Sequence, residues 1–60
     1  MLTVKLNNGA EVLAKLYKGT PSAVTYANYT QAEKKSHELG VGWGVRRFFG
    51  RPFYVVKVSN

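Results

Sequence analysis

Apolar and polar residues alternate on both sides of an Asn7-Asn8-Gly9 segment, and this pattern constrains the fold more than any other feature of the chain. A period of two residues indicates a β-strand with one buried face, and an Asn-Gly pair between two such strands predicts a hairpin. The alternating apolar positions are Leu2, Val4 and Leu6 before the turn and Ala10, Val12, Ala14 and Leu16 after it. We therefore predict two antiparallel strands, the second over residues 10–17.

The length of the first loop sets which side chains face one another. A two-residue loop would place Lys5 opposite Val12 and would mix the two faces. A three-residue loop places Val4 opposite Val12 and Lys5 opposite Glu11, so the apolar face stays whole and opposite charges pair. This favours a type I turn followed by Gly9 in the left-handed position of a bulge.

The middle of the chain predicts a helix. Residues 19–22 (Gly-Thr-Pro-Ser) indicate a turn, and residues 23–26 a short strand. Thr30 and Glu33 match a capping box, with Asn28 as an alternative cap, and the helix is expected to end at Gly40. A thin apolar stripe with spacings of three and four suits packing against a sheet, and it consists of Tyr29, Ala32, Ser36 and Leu39.

The segment after the helix predicts a second hairpin, closed by a two-residue Gly50-Arg51 loop of type II′. This loop sets Val45 opposite Val56 and Phe48 opposite Phe53. One face then carries Trp43, Val45, Tyr54, Val56 and Val58, and the other carries Gly42, Gly44, Arg46, Phe48, Phe53, Val55 and Lys57. We expect the helix to cover the first face and to leave the second in solvent.

Together these elements predict a single α+β domain over residues 1–60: a small antiparallel sheet of two hairpins with one helix packed on one face, in the order ββ(β)αββ. The expected core is Leu2, Val4, Leu6, Val12, Leu16, Ala32, Leu39, Trp43, Val45, Val56 and Val58. A domain of 60 residues buries a small core, and the chain has no cysteine to supplement it. A homodimer that hides apolar surface is therefore one expectation.

Catalysis is not expected from this composition. General acid–base chemistry needs a positioned pair of carboxylates or a histidine, and the chain offers only Glu11, Glu33, Glu38 and His37. His37 and Glu38 are neighbours on a helix and point in different directions. Without cysteine, aspartate or a second histidine, the spacing of a metal site is absent as well. We expect a non-enzymatic protein without metal or cofactor.

The charge balance indicates an anionic partner. Nine Lys and Arg residues oppose three acids, which gives a net charge of +6. Such a field favours nucleic acid or an acidic protein surface. The N-terminal residues lack the pattern of a secretory signal, and no apolar run is long enough to span a bilayer. We expect a cytoplasmic location and no membrane partner.

The strongest candidate for a binding surface is the uncovered face of the second hairpin. Phe48 and Phe53 are expected there as cross-strand neighbours, flanked by Arg46 and Lys57, with Arg51 at the tip of the loop. Exposed rings on strands stack on unpaired bases, and nearby cations neutralise phosphates. Two other readings of the rings are a core position and a contact with a protein or a second copy, and a register shifted by one residue would change which side chains face out.

A second basic cluster is expected on the outer face of the strand at residues 10–17, where Lys15, Tyr17 and Lys18 lie close together. Lys34 and Lys35 on the helix are interpreted as a solvated face.

The segment T-Y-A-N-Y-T-Q-A-E-K-K-S-H-E-L-G, followed by W-G-V and R-P-F-Y-V, resembles small phage and prophage accessory proteins. The size class of those proteins includes anti-CRISPR and host-takeover proteins, which act by covering a nucleic-acid channel or a protein surface. The resemblance implies a binding protein encoded by a phage or mobile element. The expected function is binding of nucleic acid or a nucleoprotein; the alternatives are a protein-interaction module that uses the same surface and a structural virion component.

Overall fold

The computed structural model describes residues 2–48, 50 and 52–58, and these residues form one antiparallel sheet with a single helix on one face. The elements are β1 (Thr3–Lys5), β2 (Glu11–Tyr17), β3 (Thr20–Ala23), β4 (Thr25–Tyr26), α1 (Tyr29–Leu39), β5 (Trp43–Arg47) and β6 (Phe53–Lys57). The predicted α+β class and the order ββ(β)αββ are confirmed, and the bracketed strand is divided into β3 and β4.

The first hairpin has the predicted register. Its pairs are Thr3 with Leu13, Val4 with Val12, and Lys5 with Glu11. The Gly9 amide donates to the Leu6 carbonyl at 2.9 Å, and the Leu6 amide donates to the Ala10 carbonyl at 2.8 Å. Gly9 has a φ of 89°, as the left-handed position of the bulge requires.

The turn between β2 and β3 differs from the prediction. Tyr17 pairs with Thr20, so the loop is Lys18-Gly19, and both residues have positive φ (52° and 82°), as in a type I′ turn. The expected turn over residues 19–22 is wrong because residues 20–22 belong to β3. Pro21 is tolerated there because its pair with Leu16 is not a hydrogen-bonded one. The Val24 amide donates to the Leu13 carbonyl, and bonded and non-bonded pairs alternate along the ladder from that point, so β2 requires no amide from Pro21.

β6 lies in the middle of the sheet. It pairs with β5 along one edge, and β2 and β4 both pair with its other edge. The pair with β2 is Val12 with Val56, and the pairs with β4 are Thr25 with Tyr54 and Tyr26 with Phe53. The segment over residues 20–26 therefore passes from β2 to β6. It separates the two hairpins at one end, whereas Val12 and Val56 join them directly at the other.

The second hairpin is shifted by one residue from the predicted register. Its pairs are Trp43 with Lys57, Gly44 with Val56, Val45 with Val55, Arg46 with Tyr54, and Arg47 with Phe53. An odd number of residues, 48–52, therefore lies between the strands, so a two-residue Gly50-Arg51 loop is wrong. The predicted faces of β5 are correct, and those of β6 are exchanged. Arg51 lies outside the described residues.

The sheet is buried on both faces. On the face under α1, which we call the helix-side face, Leu13, Ala32 and Val55 form one buried cluster. On the opposite face, Val12, Tyr54 and Val56 form another, covered by side chains of the strands themselves and by Phe48. Within the described part of the chain, no helix lies over this second cluster.

The predicted core is wrong at three residues that lie near the ends of strands. Leu16 is 64% exposed, Val58 43% and Leu2 38%, so these three core predictions are wrong. Leu16 lies where β2 extends beyond the body of the sheet, and Val58 follows the last residue of β6. The core residues absent from the prediction are Leu13, Ala14, Tyr54 and Val55.

The helix begins earlier than the capping box predicts. Asn28 is the N-cap residue, as in the alternative prediction, although its side chain makes no capping hydrogen bond. Thr30 lies inside the first turn, so its predicted capping role is wrong. The start at Tyr29 lets that ring meet Phe53 edge-on, at 5.8 Å between centroids. The predicted end at Gly40 is confirmed: its φ is 99°, and its amide donates to the Ser36 carbonyl at 3.1 Å.

Candidate functional site

The predicted pair of exposed rings is divided between the two faces of the sheet. Phe48 lies on the opposite face against Tyr54, with 5.6 Å between ring centroids. Phe53 lies on the helix-side face against Tyr29. Both phenylalanines are half-buried. The prediction of two neighbouring rings in solvent is wrong, and the one-residue shift in register is its cause.

The predicted cations of this hairpin are divided as well. Arg46 shares the opposite face with Phe48, whereas Lys57 pairs with Trp43 on the helix-side face. Arg47 pairs with Phe53 and holds its guanidinium 5.4 Å from the centroid of that ring. These residues therefore do not form one binding surface.

The second predicted cluster is brought together in an exposed hairpin arm, which we define as residues 15–22. Every residue of the arm is exposed. Lys15 and Tyr17 lie on the helix-side face, since they alternate with Leu16 and continue the row of Leu13; the sequence interpretation placed them on the face away from the helix. The Lys18 ammonium is 5.5 Å from the centroid of the Tyr17 ring.

A groove of about 330 Å³ separates the base of the arm from the helix. Lys15 lies on its strand wall and Lys35 on its helix wall. Its other lining residues are Leu2, Leu13, Ala14, Val24, Tyr26 and Leu39. A shallower depression of about 460 Å³ shares Tyr26 and Lys35 with it and adds Gln31, Lys34 and Glu38. We call the two depressions together the lysine groove.

The charge of the lysine groove is predominantly positive. Glu38 is the acid that lines it, and its carboxylate lies 3.4 Å from the Lys35 ammonium in an exposed pair of small energetic weight. Glu11 is engaged elsewhere, since it accepts a 2.7 Å hydrogen bond from the Thr3 hydroxyl on β1. Within the described residues, Lys15 and Lys34 form no ion pair.

Tyr26, Lys34 and Lys35 were not among the binding residues that the sequence indicated. Lys35 follows Ala32 by three positions and precedes Ser36, so it lies at the border of the buried stripe of α1. A lysine at that border projects over the neighbouring strand with an apolar stem. This spacing was the signal that could have placed Lys35 beside the sheet. Nothing local in the sequence places Tyr26 there, because its position depends on its pairing with Phe53.

Comparisons with protein-family models, curated proteins and solved structures found no match to this chain. The likeness to phage accessory proteins stays a prediction. In the part of the chain that the structure describes, no helix is long and apolar enough to cross a membrane. Among the same residues, no three histidine, cysteine or acidic side chains are grouped as metal ligands would be.

Proposed function

We propose that this protein binds single-stranded nucleic acid in the lysine groove, with Tyr17 and Lys18 of the arm extending the binding surface. In this proposal the chain acts by binding alone, as expected of a non-enzymatic basic protein. The proposal keeps the predicted partner class and moves the site from the second hairpin to the arm and the helix.

The observation that carries the proposal is the meeting of Lys15 and Lys35 across one groove that also holds the Tyr26 ring. Proteins that bind single strands combine a positive groove, which follows the phosphates, with aromatic side chains on which bases stack. Lys34 continues the positive wall along the helix. Tyr17 lies two residues beyond Lys15 on the same face of β2 and is 61% exposed, so its ring is accessible to a base.

A single strand suits this site better than a duplex. Apolar side chains make up most of the lining of the groove beside Lys15, and a duplex, whose bases are stacked inside it, would leave them uncovered. Unpaired bases also present the π-faces that Tyr17 and Tyr26 require. An acidic protein surface would satisfy the lysines but would leave the two rings without a specific role.

The test is fluorescence anisotropy with a labelled oligonucleotide of about 12 nucleotides, within the site sizes typical of small single-strand binders. Binding should weaken linearly on a log–log plot against salt, with a slope of roughly −0.7 for each phosphate contacted. Lys15→Ala and Lys35→Ala should each reduce the slope by about 0.7. Lys5→Ala is the matched control, since Lys5 is an exposed lysine on β1 that does not line the groove.

Leu16 and Tyr17 provide a second matched pair, because they are neighbours in the arm with similar exposure and opposite faces. Tyr17→Ala should weaken binding by roughly 5-fold to 150-fold, which corresponds to the loss of one stacked base. Leu16→Ala should leave binding nearly unchanged.

Three results would contradict the proposal: no binding at low salt, equal effects of Lys5→Ala and Lys15→Ala, or competition by polyglutamate as strong as by unlabelled oligonucleotide. The last would instead favour an acidic protein as the partner.

A further inference from the structure

We infer that the outer edge of β5 is a self-complementary interface through which two copies of this chain join their sheets. β5 pairs with β6 on one side, and within the described residues no strand pairs with its other side. This edge is on the far side of the sheet from β2 and β3, so the inference does not depend on the lysine groove.

The hydrogen-bond pattern of the hairpin shows which backbone groups point outward. The Val58 amide donates to the Gly42 carbonyl at 2.7 Å, so Gly42 and Val58 are a hydrogen-bonded pair. Bonded and non-bonded pairs alternate in an antiparallel ladder. Gly44 and Arg46 therefore direct their backbone groups to β6. Trp43, Val45 and Arg47 direct theirs to the free edge.

A two-fold axis at Val45 pairs all three outward residues. Val45 then faces Val45 of the partner subunit, and Trp43 faces Arg47 of the partner subunit, each as a hydrogen-bonded pair. The second contact sets a guanidinium beside the indole, in reach of a cation–π interaction. Gly44 lies opposite Arg46 of the partner subunit, and its missing side chain leaves room for the arginine.

Arginines at a sheet edge commonly prevent pairing, so the alternative registers matter. An axis at Arg46 or at Arg47 would set two like charges face to face, which is unfavourable. An axis at Gly44 would centre the contact on two glycines and extend it to Val41, outside β5. The register at Val45 avoids like-charge pairs and uses the whole strand. Two other strands that pair on one side only are less suited: β1 offers three residues, Thr3–Lys5, and Pro21 of β3 has no amide to donate.

The expected association is weak and depends on concentration, since one short strand buries less area than a standard interface. Each copy carries a net charge of +6, so salt should strengthen the dimer by screening the repulsion. Binding of nucleic acid should respond to salt in the opposite direction. The proposed dimer and the proposed binding of nucleic acid can therefore be tested separately, and a negative result for one does not contradict the other.

Sedimentation velocity over a wide range of protein concentration at high salt tests the inference. The wild type should shift from monomer to dimer as concentration rises. Gly44→Glu should promote the dimer by at least several-fold, because the carboxylate would face Arg46 of the partner subunit. Gly44→Lys should weaken it by a comparable factor. An added Cβ at Gly44 meets Val58 at ordinary contact distance, so both variants are expected to fold.

Val45→Pro is the backbone test, because it removes an outward amide that β6 does not use. The variant should stay monomeric while its far-UV circular dichroism matches that of the wild type, and Val45→Ile should still dimerise. A wild type that is monomeric at every concentration would overturn the inference. So would equal dimerisation of Gly44→Glu and Gly44→Lys, which also decides the matter if Val45→Pro does not fold.

Discussion

Leu13 and Leu16 test the assignment of faces directly, because they are the same residue type on the same strand in opposite environments. Leu13 is 7% exposed and packs with Ala32 and Val55 under the helix, whereas Leu16 is 64% exposed in the arm. Simple alternation from Val4 and Val12 predicts the reverse. We expect Leu13→Ala to destabilise the protein severely and Leu16→Ala to have little effect.

The magnitude follows from the atoms removed. Leucine to alanine deletes roughly three carbon groups, worth about 0.8 kcal/mol each when buried, or about 2.4 kcal/mol in transfer free energy. A residual cavity between Ala32 and Val55 raises the loss at Leu13 to about 2–5 kcal/mol. Leu16 is 64% exposed, so only about a third of that transfer free energy is lost there, and the expected destabilisation is below about 1 kcal/mol. A domain of 60 residues has a total stability of about 3–9 kcal/mol, so the difference is large.

Urea unfolding followed by far-UV circular dichroism measures both variants, with Trp43 fluorescence as a second probe. The midpoint should fall sharply for Leu13→Ala, with an unchanged dependence on urea, and should barely move for Leu16→Ala. Equal losses at the two positions, or a larger loss at Leu16, would refute the proposed burial of the helix-side face.

Substitutions at four other positions test local conformation by the same unfolding measurement. Lys18→Asn should stabilise the protein by about 0.5–1 kcal/mol, since asparagine adopts the positive φ of the type I′ turn more readily than lysine, and Lys18→Thr should do the opposite. Gly40→Ala should cost about 1–3 kcal/mol because a φ of 99° with a ψ of −163° is a conformation for glycine. Gly44→Ala, whose added Cβ meets Val58 at 3.6 Å, should cost less than about 1 kcal/mol. Thr30→Ala should change stability by less than about 0.5 kcal/mol, whereas a capping threonine would cost about 1 kcal/mol.

The sequence predicts the local elements of this fold well. The bulge at Gly9 and the end of the helix at Gly40 follow from residues within a few positions of each. The antiparallel class follows from the two alternating segments. Each of these features is determined by short-range conformational preferences, which a single sequence displays.

The register of the second hairpin could not be predicted, because β6 has no clear alternation. Tyr54, Val55 and Val56 are consecutive apolar residues, and all three are buried. The same is true of Val12, Leu13 and Ala14 in β2. Short continuous apolar runs indicate strands that are buried on both faces, so a strict choice of one face was the wrong interpretation.

The binding surface that we predicted on the second hairpin depended on that register, and the structure divides its rings. Phe48 and Phe53 change from neighbours to residues on opposite faces when the ladder moves by one position. Lys15, Tyr17 and Lys18 lie close together, as predicted from their positions within one hairpin, although on the other face of the sheet. Their neighbours across the groove, Tyr26 and Lys35, come from tertiary packing that local patterns do not reveal.

Among the residues that the structure describes, Val12 and Val56 form the one ladder pair that joins the two hairpins directly, and this pair has a consequence for the order of folding. Each hairpin and the helix close over short stretches of chain, which is fast. These two valines are separated by 56 − 12 = 44 positions of the 60-residue chain, so their contact requires the closure of a much longer loop. We expect that contact to limit the rate. Shortening either valine should then slow refolding, while changes in the arm should act mainly on the rate of unfolding.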